Sequence, residues 1–393
     1  MFSKRTNWSL APNKLSVCLE ALKKEGHNVL NLAESNPTRC GFPYPKNEIL
    51  TALHDPNNMI YEPWPSGALA AREGISRYYQ KKNLEVPAEK IFLTSSTSEA
   101  YSYLFRLLLE SGERILVPRP SYPLFEFLTQ LNDITIDYYP LVYKKEWRID
   151  LKALERAVSQ KTRAIIIVNP NNPTGSFLKQ KELLEINNLC RKHGMAIICD
   201  EVFLDYPFAD NDSRPISLVD NSATLTFVLS GISKSLALPQ MKIGWIVTSG
   251  PQELMKESQS RLEVIADTYL SVNTPSQNAL ASWLSQQRSI QREVLKRIEE
   301  NRKFLTKALS KSQECHCLHG EGGWYVIMRL PSKYSEERWV MDFLKKDHVY
   351  VHPGYFFDFK EEAYIVLSLL PQPAVFREGV SRILKRVRAA VFY

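Results

Sequence analysis

Four short stretches carry residue types that could do chemistry together. In the first, Leu225–Thr248, two apolar runs flank a small-residue turn holding Lys234, in Ser233-Lys234-Ser235. A lysine just past a buried strand has its amine near apolar walls. Desolvation disfavours the ammonium, so such an amine can attack carbonyls. A lone lysine of this kind could equally be a surface residue in a loop. In the second stretch, Asp200 follows the apolar run Ala196–Cys199. A carboxylate at the end of a buried strand needs a cationic partner. That partner is either a protonated pyridine nitrogen or a neighbouring Arg or Lys. The third is Asn169-Pro-Asn-Asn-Pro-Thr-Gly175, whose prolines set a rigid turn from which Asn172 can point an amide inward. It reads as a functional turn or a merely structural one. The fourth, Ser96-Thr97-Ser98, opens a helix. Free N–H groups and hydroxyls there bind phosphate, and Ser96 with Glu99 also forms a capping box.

The elements that must position these residues follow from periodicity. Helices are predicted at Lys14–Glu25, Ala68–Lys81, Ser95–Leu109, Leu151–Ser159, Leu178–His193, Gln252–Ile265, Ser289–Ser312 and Val375–Val391. Strands are predicted at Asn28–Ala33, Lys90–Thr94, Arg114–Val117, Ile134–Pro140, Ala164–Val168, Ala196–Cys199, Gly323–Leu330, Val349–Pro353 and Tyr364–Leu369, besides the two flanking Lys234. Pro118–Pro123 reads as a turn, and Glu34–Pro45, rich in Pro and Gly, as a long loop. Strands apolar on both faces, alternating with amphipathic helices, imply a mostly parallel sheet covered on both sides. Right-handed crossovers would then bring every strand's C-terminal end to one edge, where ligands of such sheets bind. Ser96–Ser98, Tyr122, Asn172, Asp200 and Lys234 all follow strands and should gather there. The expected fold is α/β, a large sheet domain plus a smaller α/β domain built from both termini. The expected parts are 1–45 (small-domain segment and active-site loop), 46–285 (large domain) and 286–393 (small C-terminal domain).

Composition narrows the function classes. The chain has 393 residues, 44% hydrophobic and 24% charged, as ordinary globular proteins do. Its net charge of +7, from 50 basic and 43 acidic residues, is spread without a basic stripe, so no nucleic-acid partner is expected. No apolar run approaches the about 18 residues of a membrane span, and the N-terminus lacks a signal core, so a cytoplasmic enzyme without membrane contact is expected. Six cysteines show no disulfide framework, which fits a reducing compartment. Cys315-His316-Cys317 with His319 matches no zinc spacing, so no metal is expected. Gly320-Glu-Gly-Gly323 lacks the strand–turn–helix setting of a nicotinamide fingerprint.

In their order and spacing, NPNNPTG, Asp200-Glu201-Val202 and Ser233-Lys234 resemble the class I/II aminotransferases, pyridoxal-phosphate enzymes of the aspartate aminotransferase-like fold (fold type I). The likeness runs from about Asn28 to the end. It implies a transaminase that moves an amino group from an amino acid or amine donor to a keto acid or aldehyde acceptor by a ping-pong route. Lys234 would be the Schiff-base lysine, Asp200 the partner of the pyridinium nitrogen, Asn172 a hydrogen-bond partner of the ring oxygen, and Tyr122 the ring-stacking residue. Ser96, Thr97 and Ser98 would form the phosphate cup. Tyr61, in Tyr-Glu-Pro-Trp-Pro-Ser-Gly, matches the tyrosine that reaches the neighbouring subunit's phosphate, which implies a homodimer.

The chain departs from the family pattern at four places. Gly231 stands where a serine helps the cup, leaving Ser230 or Ser233 to substitute; Lys242 replaces an arginine and keeps only its charge. Phe203 replaces a tyrosine that bonds the ring oxygen, with Tyr206 a possible stand-in. Val366 replaces the arginine that clamps the substrate carboxylate. Arg39, with Asn36 in the same loop, is the candidate replacement clamp. Otherwise the substrate lacks that carboxylate, or the enzyme is a lyase or decarboxylase of the same fold. A non-catalytic, effector-sensing module is disfavoured by the intact Lys234, Asp200 and Asn172.

Overall fold

The computed structural model describes residues 1–209, 213–270, 272–310, 312–361 and 363–392. In chain order the strands are β1 (Leu30–Asn31), β2 (Ile91–Thr94), β3 (Arg114–Arg119), β4 (Thr135–Tyr143), β5 (Trp147–Ile149), β6 (Thr162–Val168), β7 (Ala196–Asp200), β8 (Thr226–Gly231), β9 (Gly244–Ser249), β10 (His316–Cys317), β11 (Tyr325–Arg329), β12 (Val349–Tyr350), β13 (His352–Pro353) and β14 (Tyr364–Ser368). β2 to β9 form one sheet in the order β2-β9-β8-β7-β6-β3-β4-β5. Its centre, β8-β7-β6-β3-β4, is parallel.

The central strands are apolar on both faces because both faces are covered. Ile165, Ile167, Ile197, Cys199 and Val228 belong to one core cluster, and Ile166, Val168, Ile198, Phe227 and Leu229 to the other. The second cluster includes Ala100, Tyr101, Leu104 and Phe105 of the helix Thr97–Leu108. Ile75, Tyr78 and Tyr79 of the helix Leu69–Gln80 pack into the first. A mostly parallel sheet between helices is therefore what the chain builds. The helix Gln180–His193 ends at Gly194, whose φ of 65° is the left-handed stop expected of a glycine there.

One expectation about direction fails. β9 runs antiparallel to both β8 and β2, so its first residue, Gly244, and not its last, meets the edge where β7 and β8 end. Only the short helix Ile232–Ser235 and a turn separate β8 from β9. A connection of that length without a covering helix folds the chain back and makes no parallel crossover. The segment Pro118–Pro123 is also not wholly a turn, because β3 continues through Arg119. The helices Leu124–Leu131, Thr274–Ser285 and Glu336–Asp347 have no counterpart in the sequence reading. The strand expected at Asn28–Ala33 shortens to β1, and the helix expected at Ser289–Ser312 spans Gln287–Leu309, with Lys311 outside the described residues.

A second sheet, β10-β11-β14-β13, is antiparallel. β1 pairs in parallel with β12 through Leu30 and Val349, which fastens the N-terminal segment to the C-terminal part. The helix Gln287–Leu309 is tied to the end of β14 by one buried side chain. Asn301 donates from Nδ2 to the carbonyls of Leu369 and Pro371, both at 2.9 Å. Asn301→Leu would keep the volume and orphan both carbonyls. We expect a loss of about 2–3 kcal/mol in denaturant unfolding; an unchanged midpoint would show that this tie contributes nothing.

Candidate active site

A cavity of about 260 Å³ opens at the C-terminal edge of the large sheet. It is lined by Lys234, Asp200, Asn172, Tyr122, Ser96, Thr97 and Ser98, all expected from sequence, and by Ser35, Tyr101, Phe203, Ser233, Gly244 and Tyr325 among others. Strand alternation explains the first of these. In register, Asp200 faces Val168 and Leu229, both in the core cluster beneath the helix Thr97–Leu108. Its side chain therefore points to that helix and reaches the cavity.

Asp200 is buried and both its oxygens have donors. Oδ2 accepts from the Tyr101 hydroxyl at 3.0 Å, and Oδ1 from the Val202 amide at 3.1 Å. Burial pushes its carboxyl up to about 6, against the pull of those two bonds and of Lys234. Lys234 lies in the short helix after β8, with its amine 5.0 Å from the Trp324 ring centre and 5.6 Å from that of Phe203. Burial pulls this amine down to about 8, with Asp200 opposing. The two groups are thus shifted toward neutrality from opposite sides by the same loss of water. Asn172 lines the cavity and is buried, and its side-chain oxygen has no hydrogen-bond partner among the described residues.

Ser96 caps the helix Thr97–Leu108 by accepting from the Glu99 amide at 3.2 Å, but the Glu99 carboxylate accepts from the Ser95 amide at 2.6 Å, so the expected capping box forms only in its Ser96 half. Thr97 and Ser98 occupy its first turn. The opposite wall is Gly244: a Cβ there would come within 3.0 Å of the Ser96 carbonyl carbon and 3.1 Å of the Thr97 nitrogen. A larger residue would close the approach to the helix start. Tyr122 is half exposed at the mouth, where burial and Asp200 raise its hydroxyl.

Several candidates are placed elsewhere. Ser230 is opposite Trp245 in the register and faces the other core cluster; strand alternation turns it away from the cavity, and Ser233 lines the wall instead. Tyr206 does not stand in for the residue at Phe203: it is fully buried and donates its hydroxyl to the Lys234 carbonyl at 2.6 Å. Lys242 is exposed, in a left-handed turn with φ 54°, and only its neighbours Ile243 and Gly244 line the cavity. Arg39 is exposed, and Asn36 spends its side-chain oxygen on Thr38; the lining residue of that loop is Ser35. Tyr61 is 69% exposed and lines no part of this chain's cavity. Val366 is buried in β14. Sequence reading missed Tyr101, although it lies one helical turn beyond Thr97 and so shares its face. It also missed Tyr325, for which no local pattern exists.

The model of the family described as aminotransferase class I and II matches residues 27–382. The chain belongs to that family. Curated relatives include the glutamate–pyruvate aminotransferase AlaA of Escherichia coli strain K12, 28% identical over 360 residues and covering 89% of this chain and 88% of that protein. Another is the alanine aminotransferase of Mycobacterium tuberculosis, 28% identical over 366 residues, covering 89% and 83%. An aminotransferase from Escherichia coli superposes with a TM-score of 0.87 at 26% identity, covering 99% and 98% of the two chains. An alanine aminotransferase from Pyrococcus furiosus reaches 0.90 at 23%, covering 99% and 100%, which shows the shared fold. The named relatives are transaminases, which favours amino-group transfer over the lyase or decarboxylase outcome that sequence leaves open.

Two tests probe how this aminotransferase holds its charges. Lys234→Met removes the ammonium and keeps the stem. Because the folded-state amine titrates near 8 and the unfolded one near 10.5, the native charge costs stability increasingly as pH falls from 10.5 through about 8. The variant should be more stable by about 1–3 kcal/mol at neutral pH, converging with the native protein at high pH. Tyr101→Phe removes one donor from Asp200 and keeps the ring against Phe125. The raised carboxyl contributes stability below its unfolded value of 3.8 that is lost as pH rises through about 6. In the variant that loss should extend to higher pH and leave it about 1 kcal/mol less stable above neutrality. Superimposable pH–stability curves would show that the Tyr101 bond does not tune Asp200.

Proposed function

We propose that the cavity binds pyridoxal 5'-phosphate and that the enzyme transfers amino groups from an amino acid or amine to a keto acid or aldehyde. The observation that carries this is the convergence of the Lys234 amine, the Asp200 carboxylate and the unpartnered Asn172 oxygen on one cavity beside a helix start. These groups fit the cofactor. An amine near 8 is partly neutral under ordinary conditions, a buried carboxylate wants a cation, and an orphaned acceptor wants a donor. Pyridoxal phosphate, when bound, supplies an aldehyde that amines attack and a protonated ring that takes up electrons from a breaking C–H bond.

On this reading Lys234 holds the cofactor and, when released by the substrate amine, accepts the proton from the substrate Cα and delivers it again. Apolar walls from Phe203 and Trp324 favour its neutral, basic form. Asp200, ionised once a cation faces it, holds the proton on the ring nitrogen, and Tyr101 and Val202 keep its oxygens oriented. Asn172 would hydrogen-bond the ring oxygen, as acceptor or, with its amide turned, as donor. Tyr122, at the cavity mouth, would stack on the ring. Thr97 and Ser98, in the first helical turn, with Ser96 and Ser233 beside them, hold the phosphate through hydroxyls and free backbone N–H groups. Lys242 adds long-range positive charge.

The same reading assigns a homodimer. Met59, Ile60, Tyr61 and Trp64 are all large and exposed within one short stretch, and a second copy would cover them and bring Tyr61 to the other site. Residues 46–285 are the cofactor-binding part, with 1–45 and 286–393 forming the smaller part. Six free cysteines suit a cytoplasmic setting.

Purified protein given pyridoxal phosphate should develop a visible band, and borohydride should fix the cofactor on Lys234, found by peptide mapping. Adding an amino donor should discharge the band, and a carbonyl acceptor should restore it. Lys234→Ala should abolish the fixed adduct and lower turnover by at least about 1,000-fold. A colourless protein with no adduct at this position would end the proposal.

A further inference from the structure

The charge inventory of the cavity is short. Among the described residues lining it, Lys234 is the one cation and Asp200 the one anion. Both are committed when the cofactor is held, so this chain leaves no lining charge for the substrate. Apart from Asp200, what the structure places around the Lys234 amine is neutral, the rings of Phe203 and Trp324, and Tyr325 and Ser35 add further uncharged lining to the cavity.

The sheet behind Tyr325 offers no charge either. Tyr325 pairs with Ser368 and Ile327 with Val366, so Val366 shares the face of Tyr325 two positions along. It is 1% exposed and apolar. Its other register partner, His352, is kept neutral by burial, which pulls it down to about 4. Arg39, in the loop that contributes Ser35, is exposed outside the cavity. A carboxylate on the reacting carbon would lose its water against these walls and find only neutral donors. A hydrogen, alkyl or aryl group there loses nothing.

We propose that the substrates of this site are primary amines, and aldehydes or ketones as acceptors, that carry no carboxylate on the reacting carbon. This rests on the pyridoxal-phosphate reading and deepens it. In the net reaction the donor's carbon–nitrogen bond is replaced by a carbon–oxygen double bond, and the acceptor carbonyl becomes an amine. The nitrogen and the two electrons of the donor C–H bond pass to the acceptor; the acceptor's oxygen leaves as water and a water molecule supplies the donor's new carbonyl oxygen, with no outside oxidant. Donor and acceptor occupy the same cavity in turn, so the restriction applies to both.

Matched pairs test the proposal on the holoenzyme: phenethylamine against phenylalanine, tyramine against tyrosine, and ethylamine against alanine. The readout is the single-turnover rate at which each discharges the visible band. The amine should be favoured in kcat/KM by about 10- to 100-fold in each pair, the scale of one missing charge-assisted hydrogen bond. An amino acid that equals or outruns its amine in any pair overturns the proposal. Val366→Arg, in a variant that still folds and binds cofactor, should move the ratio at least about tenfold toward the amino acid; an unchanged ratio also overturns it. Failure of the underlying reading looks different, because then no borohydride-stable adduct forms at Lys234 and no band exists to discharge.

Discussion

Lys234 and Asp200 share one cavity at the edge of the sheet, and the loss of water acts on them in opposite senses. It lowers the amine to about 8 and raises the carboxyl to about 6. Each group is thereby left poised to gain from a ligand. The amine gains by reacting as a neutral nucleophile, and the carboxylate by receiving a cation. A site exposed to water would leave both fully charged and chemically idle. The apolar walls of Phe203 and Trp324 are thus part of the chemistry.

Holding such groups out of water requires a rigid support, and the parallel strands provide it. β6, β7 and β8 are buried on both faces, so their register has little freedom to slip. Asp200 and Gly231 end adjacent strands, and Lys234 follows within three residues of the second. The helix Thr97–Leu108 completes the arrangement, because Tyr101 reaches Asp200 while the first turn of the same helix borders the cavity. Tyr206 fixes the backbone of Lys234 from beneath. Chemistry and stability here pull against each other: the buried ammonium is a cost that the packed core must carry.

Of the four departures from the family pattern, the resemblance assigns Gly231, Lys242 and Phe203 to the cofactor and Val366 to the substrate carboxylate. Phe203 and Val366 both exchange a polar side chain for an apolar one, and both are buried. Phe203, Tyr325 and Ser35 line the cavity without charge, and Val366 shares the face of Tyr325 in the second sheet.

Sequence alone determined which residues arrive at the edge. Lys234, Asp200, Asn172 and Ser96–Ser98 each follow a strand that composition makes easy to find, and strand ends in such a sheet converge. It also determined the fold class, since two-sided apolar strands can exist only between layers of helices. Tertiary structure decided which way side chains face and what they touch. Ser230 and Gly231 are neighbours in the chain, yet only the second lines the cavity, because a pleated strand sends alternate residues to opposite faces. Tyr206 and Tyr101 are both buried tyrosines, and only packing shows that one bonds the Lys234 carbonyl and the other Asp200. The direction of β9 depended on a connection too short for a crossover, and Tyr325 came from a second sheet more than 90 residues downstream of Lys234. Local pattern reports burial and period, which are properties of one segment. Orientation and partnership belong to pairs of segments, and those exist only once the chain has packed.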